Sequence, residues 1–549
     1  MRQSTENHAV IGSDNGIAMV PGMTTQVFPD LRKFLDQLSD DGDVRVIEAP
    51  FDPNLEIAEI HRRVIESGGP ALLFARPKRS EIPVVTNLFG TTRRAQLAFG
   101  RRPAELVRTL VELIQEGMPP SPSRLWANRR LLGAGLRIGT RRVGRGPVTE
   151  VISSEVDLDR LPALTSWPED GGPFITLPLV ATHHPRTGTP NLGMYRLQIH
   201  DRQTTGMHWQ IGKGGGFHYQ ASELEGRDLQ TTVFLGGPPA LILAAIAPLP
   251  ENVPELMLAS LISGGKIGQC AGPDGRPLVA DAEIALCGRV PMRLRRPEGP
   301  FGDHYGYYSL RHDYPVFQVE YTARRRDAIF PATVVGKPRQ EDFFIGDLLQ
   351  NLLSPLFPVV MPGVKSVWSY GETGYHALAG AVVRERYRRE AMASAFRILG
   401  EGQLSLTKFL LVTDRSVDLR DIRTTLTHIL ARARFETDLY VFSNLSMDTL
   451  DYTGPEVNLG SKGVLLGLGE PVRDLPGEFT TSNVPTRIER VRVFCPGCLV
   501  VDGPGYAAEP DAAPRIARDP VFSDWPLVVL TDDADRATAS AINFLWTTF

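Results

Sequence analysis

Apolar residues recur at spacings of three and four from Phe28 onward. Leu31, Phe34, Leu35 and Leu38 predict a helix with one buried face. Asp43–Glu48 and the apolar run Ala71–Ala75 read as strands, with a helix over Leu55–Ile65 between them. That alternation indicates an α/β first domain. The rhythm changes near residue 145. Short strands broken by Gly and Pro follow: Val148–Ile152, Tyr195–His200, Thr231–Gly236, Ala240–Ala247 and Pro315–Ala323. Such a series suggests a β-barrel or sandwich. From about 340 helices return. Asp342–Leu353 reads as a helix, Phe409–Asp414 as a buried strand, and Leu426, Ile429 and Leu430 mark the next helix. A second strand ending in Thr-Asp, Pro526–Asp533, leads into a helix through Ile542 and Leu545, a candidate internal repeat. The predicted class is a multidomain α+β protein. Its segments are a flexible extension (1–27), an N-terminal α/β domain (28–145), a β domain (146–335), a C-terminal α/β domain (336–510) and a strand–helix extension (511–549).

Composition narrows the class. A chain of 549 residues suits three or four domains at roughly 150 residues each. With 42% apolar and 22% charged residues it is not a disordered chain. Its 52 glycines and 44 prolines argue against an all-helical bundle. A net charge of −4 leaves no basic footprint for nucleic acid, and Arg324, Arg325 and Arg326 read as a solvated face. No unbroken apolar run is long enough to predict a membrane span. The most apolar stretch, Val233–Pro250, is interrupted by Gly236, Gly237, Pro238 and Pro239. The N-terminus lacks the layout of a signal peptide, which makes the cytoplasm the expected compartment. Four cysteines exclude a disulfide framework. Cys495 and Cys498 form a CxxC without the second ligand pair that zinc needs, leaving a structural turn or a redox dithiol.

The chemistry-bearing residues concentrate in the middle domain. Glu298 and Asp303 flank Gly-Pro-Phe-Gly, a tight turn. Two carboxylates brought close split their pKa values, which suits proton transfer; a solvated turn with two surface acids is the alternative. Arg196 offers a bidentate fork for a carboxylate, or an ordinary salt bridge. Gly214, Gly215 and Gly216 allow backbone to approach a phosphate, or form a flexible turn. No Walker or strand–GxGxxG–helix unit is present. His208 and His218 are candidate metal ligands or packed histidines.

Four blocks together resemble the UbiD family of decarboxylases, which use prenylated FMN. They are Trp167-Pro-Glu-Asp-Gly-Gly-Pro-Phe-Ile-Thr176, Asn191-Leu-Gly-Met-Tyr-Arg196, Glu298-Gly-Pro-Phe-Gly-Asp-His-Tyr-Gly-Tyr307 and Gly460-Ser-Lys462. The resemblance runs from about residue 28 to the end of the chain. It implies an α/β N-terminal domain, a central split β-barrel like that of flavin reductases, and a C-terminal α/β domain through which the protein forms a homodimer or hexamer. It implies a catalytic network of Arg196, Glu298 and Asp303, with Asp303 donating and accepting the proton. Tyr195 and Arg196 would contact the cofactor. Asn191 and Glu255 match ligands of Mn²⁺ or Mg²⁺ holding the cofactor phosphate. The carbonyls of Ala244, Ala245 and Ala247 match a K⁺ or Na⁺ site, and Lys462 a lysine near the flavin. The family's third metal ligand, a histidine, is replaced by Gly212-Lys213-Gly214. His208, His218 or water is then expected to complete the shell, or Lys213 to neutralise the phosphate. The terminal Asn543–Phe549 resembles part of a longer segment in the aromatic-acid branch. The implied reaction is decarboxylation of an aromatic, heteroaromatic or α,β-unsaturated carboxylic acid, open to reversal under high CO₂, with a flavin prenyltransferase supplying the cofactor. A flavin-binding oxidoreductase and a non-catalytic cofactor-binding relative are the rival readings.

Overall fold

The computed structural model describes residues 26–115, 138–209, 214–249, 253–454, 456–480, 484 and 487–549. The first helix, Leu31–Asp40, starts where the Asp30 side chain accepts the Lys33 N–H at 2.8 Å, and it buries Leu31, Phe34, Leu35 and Leu38. Strands Val44–Ile47 and Ala71–Phe74 pair in parallel, with the helix Glu56–Glu66 between them in the chain. Val84–Thr86 adds an antiparallel strand, and Phe330–Pro331, far along the chain, completes this four-stranded sheet.

The middle of the chain forms an antiparallel sheet. Its path runs Thr204–Gly206, His312–Arg324, Ile284–Val290, Leu229–Leu235, Leu179–His183 and Pro190–Met194. Arg295–Glu298 and Val151–Ser153 also pair with the long strand His312–Arg324. Among the described residues the path does not close on itself, so the expected split barrel is met as an antiparallel sheet only.

Three local expectations are corrected. Ala240–Ala247, read as a strand, is the helix Ala240–Ile246. A short apolar run carries no period that separates strand from buried helix, and its Ala and Leu favour the helix. Gly236 (φ +72°) and Gly237 (φ +102°) turn the chain into it. Tyr195–His200 is strand only at Leu197–Gln198, and Val148–Ile152 splits into a turn at Pro147–Thr149 and the strand Val151–Ser153.

The C-terminal half holds a five-stranded sheet in the order Val364–Ser369, Leu378–Val383, Phe409–Thr413, Leu459–Gly467, Leu439–Ser446. A three-stranded sheet follows, Val491–Cys495, Cys498–Asp502 and Leu527–Thr531. The two strands that end in Thr-Asp lie in these different sheets, each followed by a helix. Cys495 and Cys498 pair across a two-residue turn that Gly497 (φ +81°) permits, in line with the structural-turn reading. One helical stretch, Glu341–Val360, is long and apolar enough to cross a membrane by length and composition. Its first turn is tied into the protein, because Glu341 accepts the backbone N–H groups of Asn87 and Phe89.

Candidate active site

Glu298 ends the strand Arg295–Glu298, which pairs with His312–Arg324 in a register that sets Glu298 opposite His312. The chain then turns through Gly299 (φ +92°), a conformation only glycine adopts readily. The Trp167–Thr176 block braces this turn. Asp170 Oδ1 accepts Gly302 N–H at 2.8 Å, and Asp170 Oδ2 accepts the N–H groups of Ser166 and Trp167. Gln198 Oε1 accepts Gly299 N–H. Gly171 N–H donates to Pro300 O at 2.8 Å, so close that a Cβ at 171 would overlap the Gly299 carbonyl. The backbone of the turn is thus held from both sides, by the Asp170 and Gln198 side chains and by Gly171 N–H.

Arg196 reaches into the turn from the segment after strand Pro190–Met194. Its Nε donates to Glu298 Oε1 at 2.9 Å, its Nη1 to Asp303 Oδ2 and its Nη2 to Ser309 Oγ at 3.3 Å. The guanidinium lies over the Phe301 ring, 4.5 Å from the centroid. Glu298 and Asp303 are 1% and 4% exposed, so these charges meet almost out of water. Two histidines flank the group. His208 Nδ1 lies 2.6 Å from Glu298 Oε2, and His304 Nδ1 lies 2.5 Å from Asp303 Oδ1.

The electrostatics follow from this geometry. Burial works against ionised Glu298, but Arg196 and then His208 outweigh it and hold the carboxyl down at about 2. Burial likewise opposes ionised Asp303, and His304 and Arg196 hold it well below the usual range. Burial, with Arg196, keeps His208 below an ordinary histidine, so the neutral ring donates from Nδ1. Burial opposes the His304 imidazolium, yet Asp303, Asp342 and Asp448 raise it to about 9.

A second cluster contains the residues expected at the cofactor. The helix Gly214–Leu224 starts beside Asn191, Tyr195 and Trp209. Gly215 N–H donates to Tyr195 Oη at 3.3 Å. A Cβ at Gly214 would overlap Asn191 Oδ1, and one at Gly215 would lie 2.5 Å from Trp209 Nε1, an atom with no partner among the described residues. The glycines therefore let this stretch of backbone pack directly against Asn191 and Trp209, and a glycine backbone with no side chains in the way suits close approach to a flavin phosphate. Leu192 N–H donates to Glu255 Oε2 at 2.8 Å, which sets Glu255 beside Asn191, and burial raises the Glu255 carboxyl.

A complete protein shell for a divalent metal is not present among the described residues, where no three His, Cys, Asp or Glu side chains group at metal-binding distance. His208, expected as the third ligand, turns instead to Glu298. His218, its alternative, is engaged through Nδ1 with Thr182 Oγ1 at 2.9 Å. Asn191 and Glu255 remain as two donors. Lys213 lies outside the described residues.

Ala244 and Ala245 sit in the last turn of their helix, where carbonyls lack intrahelical donors and favour a cation; the Ala247 carbonyl accepts Leu249 N–H at 2.8 Å. Lys462 lies apart, in the C-terminal sheet. Its Nζ donates to the Ser405 and Thr407 carbonyls at 2.8 and 2.9 Å, and burial lowers it to about 8.

The structure thus joins Arg196, Glu298 and Asp303, separately gathers Asn191, Tyr195, Glu255 and Gly214, and commits Lys462 to backbone carbonyls. Sequence reasoning did not assign His304, Ser309, Asp170, Gln198 or Phe301 to the site. Asp170, Phe301 and His304 stand inside the family-like blocks, which is the signal that was available.

Family models match along most of the chain. The 3-octaprenyl-4-hydroxybenzoate carboxy-lyase N-terminal domain matches residues 35–114, its Rift-related domain 141–338 and its C-terminal domain 343–467. An uncharacterised protein of Chlamydia trachomatis is 50% identical over 522 residues, 94% of this chain and 89% of that one. A Chlamydia pneumoniae protein named as a subunit of 4-hydroxybenzoate decarboxylase is 50% identical over 502 residues, 91% of this chain and 85% of that one. Among solved structures, the vanillic acid decarboxylase of Sedimentibacter hydroxybenzoicus in closed form aligns with TM-score 0.69 at 22% identity, covering 90% of this chain and 100% of that one. The UbiD-class enzyme HmfF of Pelotomaculum thermopropionicum, in complex with FMN, aligns with TM-score 0.66 at 24% identity, covering 83% and 97%.

Proposed function

Because this chain belongs to the UbiD family of carboxy-lyases, we propose that it decarboxylates an aromatic, heteroaromatic or α,β-unsaturated carboxylic acid with prenylated FMN bound. The observation that carries this reading is Arg196 held between Glu298 and Asp303 in a site nearly closed to water. Two acids sharing one guanidinium have no use in a surface turn. At the site of an anionic substrate they poise the arginine, and a carboxylate freed from it can take up and pass on a proton.

The bound cofactor supplies the electron sink for the pair left as CO₂ departs. The chain's own groups do the rest. Arg196 receives the substrate carboxylate and orients it. Glu298, kept ionised by Arg196 and His208, holds the guanidinium in place. Asp303 delivers the proton to the carbon that loses CO₂. Under high CO₂ the same groups serve the reverse reaction, with Asp303 accepting the proton. The glycine backbone at Gly214, with Asn191, Tyr195 and Glu255, holds the phosphate end. Asn191 and Glu255 give two donors to Mn²⁺ or Mg²⁺, and the carbonyls near Ala244, Ala245 and Ala247 hold K⁺ or Na⁺. A flavin prenyltransferase supplies the cofactor, and the C-terminal domain forms the homo-oligomer contact.

The test uses protein co-produced with a flavin prenyltransferase and supplied with Mn²⁺ and K⁺. CO₂ release is measured from 4-hydroxybenzoate, vanillate and 3,4-dihydroxybenzoate, acids that relatives' names suggest. Release from at least one acid, lost in Arg196→Gln, supports the reading. Cofactor-loaded protein that releases no CO₂ from any of a wider acid panel overturns it. NAD(P)H oxidation independent of Glu298 would favour the oxidoreductase.

A further inference from the structure

Asp303 accepts three hydrogen bonds. Arg196 Nη1 donates to Oδ2; the His304 backbone N–H (2.8 Å) and His304 Nδ1 (2.5 Å) donate to Oδ1. A carboxylate served by three donors holds no proton of its own. Yet a decarboxylation consumes one proton for each CO₂ released. Of the three donors, the guanidinium stays protonated in proteins and the amide N–H does not ionise. The His304 imidazolium is the one that gives up a proton within the working pH range.

Resting on the decarboxylase reading, we propose that His304 is the proton reservoir of this site, reloading Asp303 through the Nδ1–Oδ1 hydrogen bond in each turnover. His304 touches no substrate and acts through Asp303. Its surroundings suit that task. Three acids act on its ring: Asp303 from its own loop, Asp342 from the helix Glu341–Leu353, and Asp448 from the C-terminal half, which lies 3.6 Å from His376 Nε2. Each of them favours the cation, against the cost of burial. Tyr305 packs against the ring, with centroids 5.1 Å apart. The His304 side chain keeps 22% of its surface exposed while Asp303 keeps 5%, so solvent can recharge the histidine but scarcely reaches the aspartate.

The step balances without a redox partner. The substrate carboxylate draws Arg196 away from Asp303 and adds a negative charge beside it, which raises the proton affinity of Asp303. The proton on His304 Nδ1 moves to Asp303 Oδ1. The C–C bond to the carboxylate breaks, CO₂ leaves, and the electron pair stays with the substrate. The O–H bond of Asp303 then breaks as the new C–H bond forms. Neutral His304 takes a proton from solvent.

Two measurements test this. The first is an NMR titration of the His304 imidazole in the full chain, which does not depend on any substrate. The midpoint is expected at least one pH unit above an ordinary histidine, near 6.5, and to fall by at least one unit in Asp303→Asn. A midpoint at or below the ordinary value, or one unmoved in Asp303→Asn, overturns the proposal. The second compares cofactor-loaded wild type with His304→Asn in D₂O. First-turnover CO₂ release is expected to stay within about threefold, while deuterium delivery to the product slows at least tenfold and its rate no longer falls with the titration of His304. Unchanged deuterium delivery with an unchanged pH profile overturns the proposal, as does an equal loss of both steps. If wild type releases no CO₂ but the titration behaves as expected, the decarboxylase reading fails and the Asp303–His304 proton pair stands.

Discussion

Replacing Arg196 with glutamine removes the cation between two carboxylates that the fold keeps out of water. Glu298 titrates at about 2 in the folded protein against an ordinary 4.5, a difference worth about 3 kcal/mol at neutral pH. That stabilisation is present above the unfolded value of 4.5 and is lost as pH falls toward 2. Asp303 contributes in the same direction. Removing one partner of a buried pair costs about 3–5 kcal/mol; His208 and His304 still face the two acids, so the lower figure applies here. A loss of about 3 kcal/mol corresponds to a drop of roughly 6–12 °C in the melting of a unit of 150–250 residues. The sign of the pH dependence is the sharper test. Without Arg196, burial raises both acids, and the cost of ionising them is full at high pH and disappears as they protonate. The deficit against wild type should therefore narrow from about pH 7.5 to about pH 5. Thermal unfolding of both proteins across this range, followed by circular dichroism, reads it directly. A deficit that stays constant or widens toward acid refutes the assignment of Arg196 as their shared counter-ion.

Three further outcomes are expected. His208→Gln removes the second of the two groups that keep Glu298 ionised, so the acid limb of the kcat/KM profile should move up by as much as about one pH unit; an unmoved limb would separate His208 from Glu298. Gly214→Ala puts a methyl group onto Asn191 Oδ1 and should weaken FMN retention at least about tenfold, seen as lost flavin absorbance after gel filtration, with little change in melting. Gly214→His would meet the same overlap, so it cannot simply restore a metal ligand. Gly171→Ala presses a Cβ against the carbonyl of Gly299, whose N–H is tied to the Gln198 side chain; a loss of about 1–3 kcal/mol and slower CO₂ release are expected, whereas wild-type melting would mean the turn is looser than its bonding suggests.

Helix periodicity was legible where it was strong. The spacing of Leu31, Phe34, Leu35 and Leu38 gives the buried face of Leu31–Asp40 directly. It failed at Ala240–Ala247, where every residue is small or apolar and no face is distinguished. The segment from Glu298 to Asp303 was legible as a turn, because Gly299 and Pro300 leave the chain few options. The partner of a histidine was not. His208 and His218 look alike in the sequence, and the folded chain gives one to Glu298 and the other to Thr182.

The order of residues sets which groups are present and puts Glu298 and Asp303 at either end of one tight turn. Local chemistry settles this, because glycine and proline restrict backbone angles within a few residues. It takes the packed fold to bring Arg196, 102 and 107 residues away, between them. That convergence depends on the register of Arg295–Glu298 against His312–Arg324 and on the bracing of the turn by Asp170 and Gln198. A one-residue slip in the register would turn Glu298 to the opposite face of the sheet. Burial, which makes these charges depend on one another, is likewise a property of the packed sheet rather than of any segment.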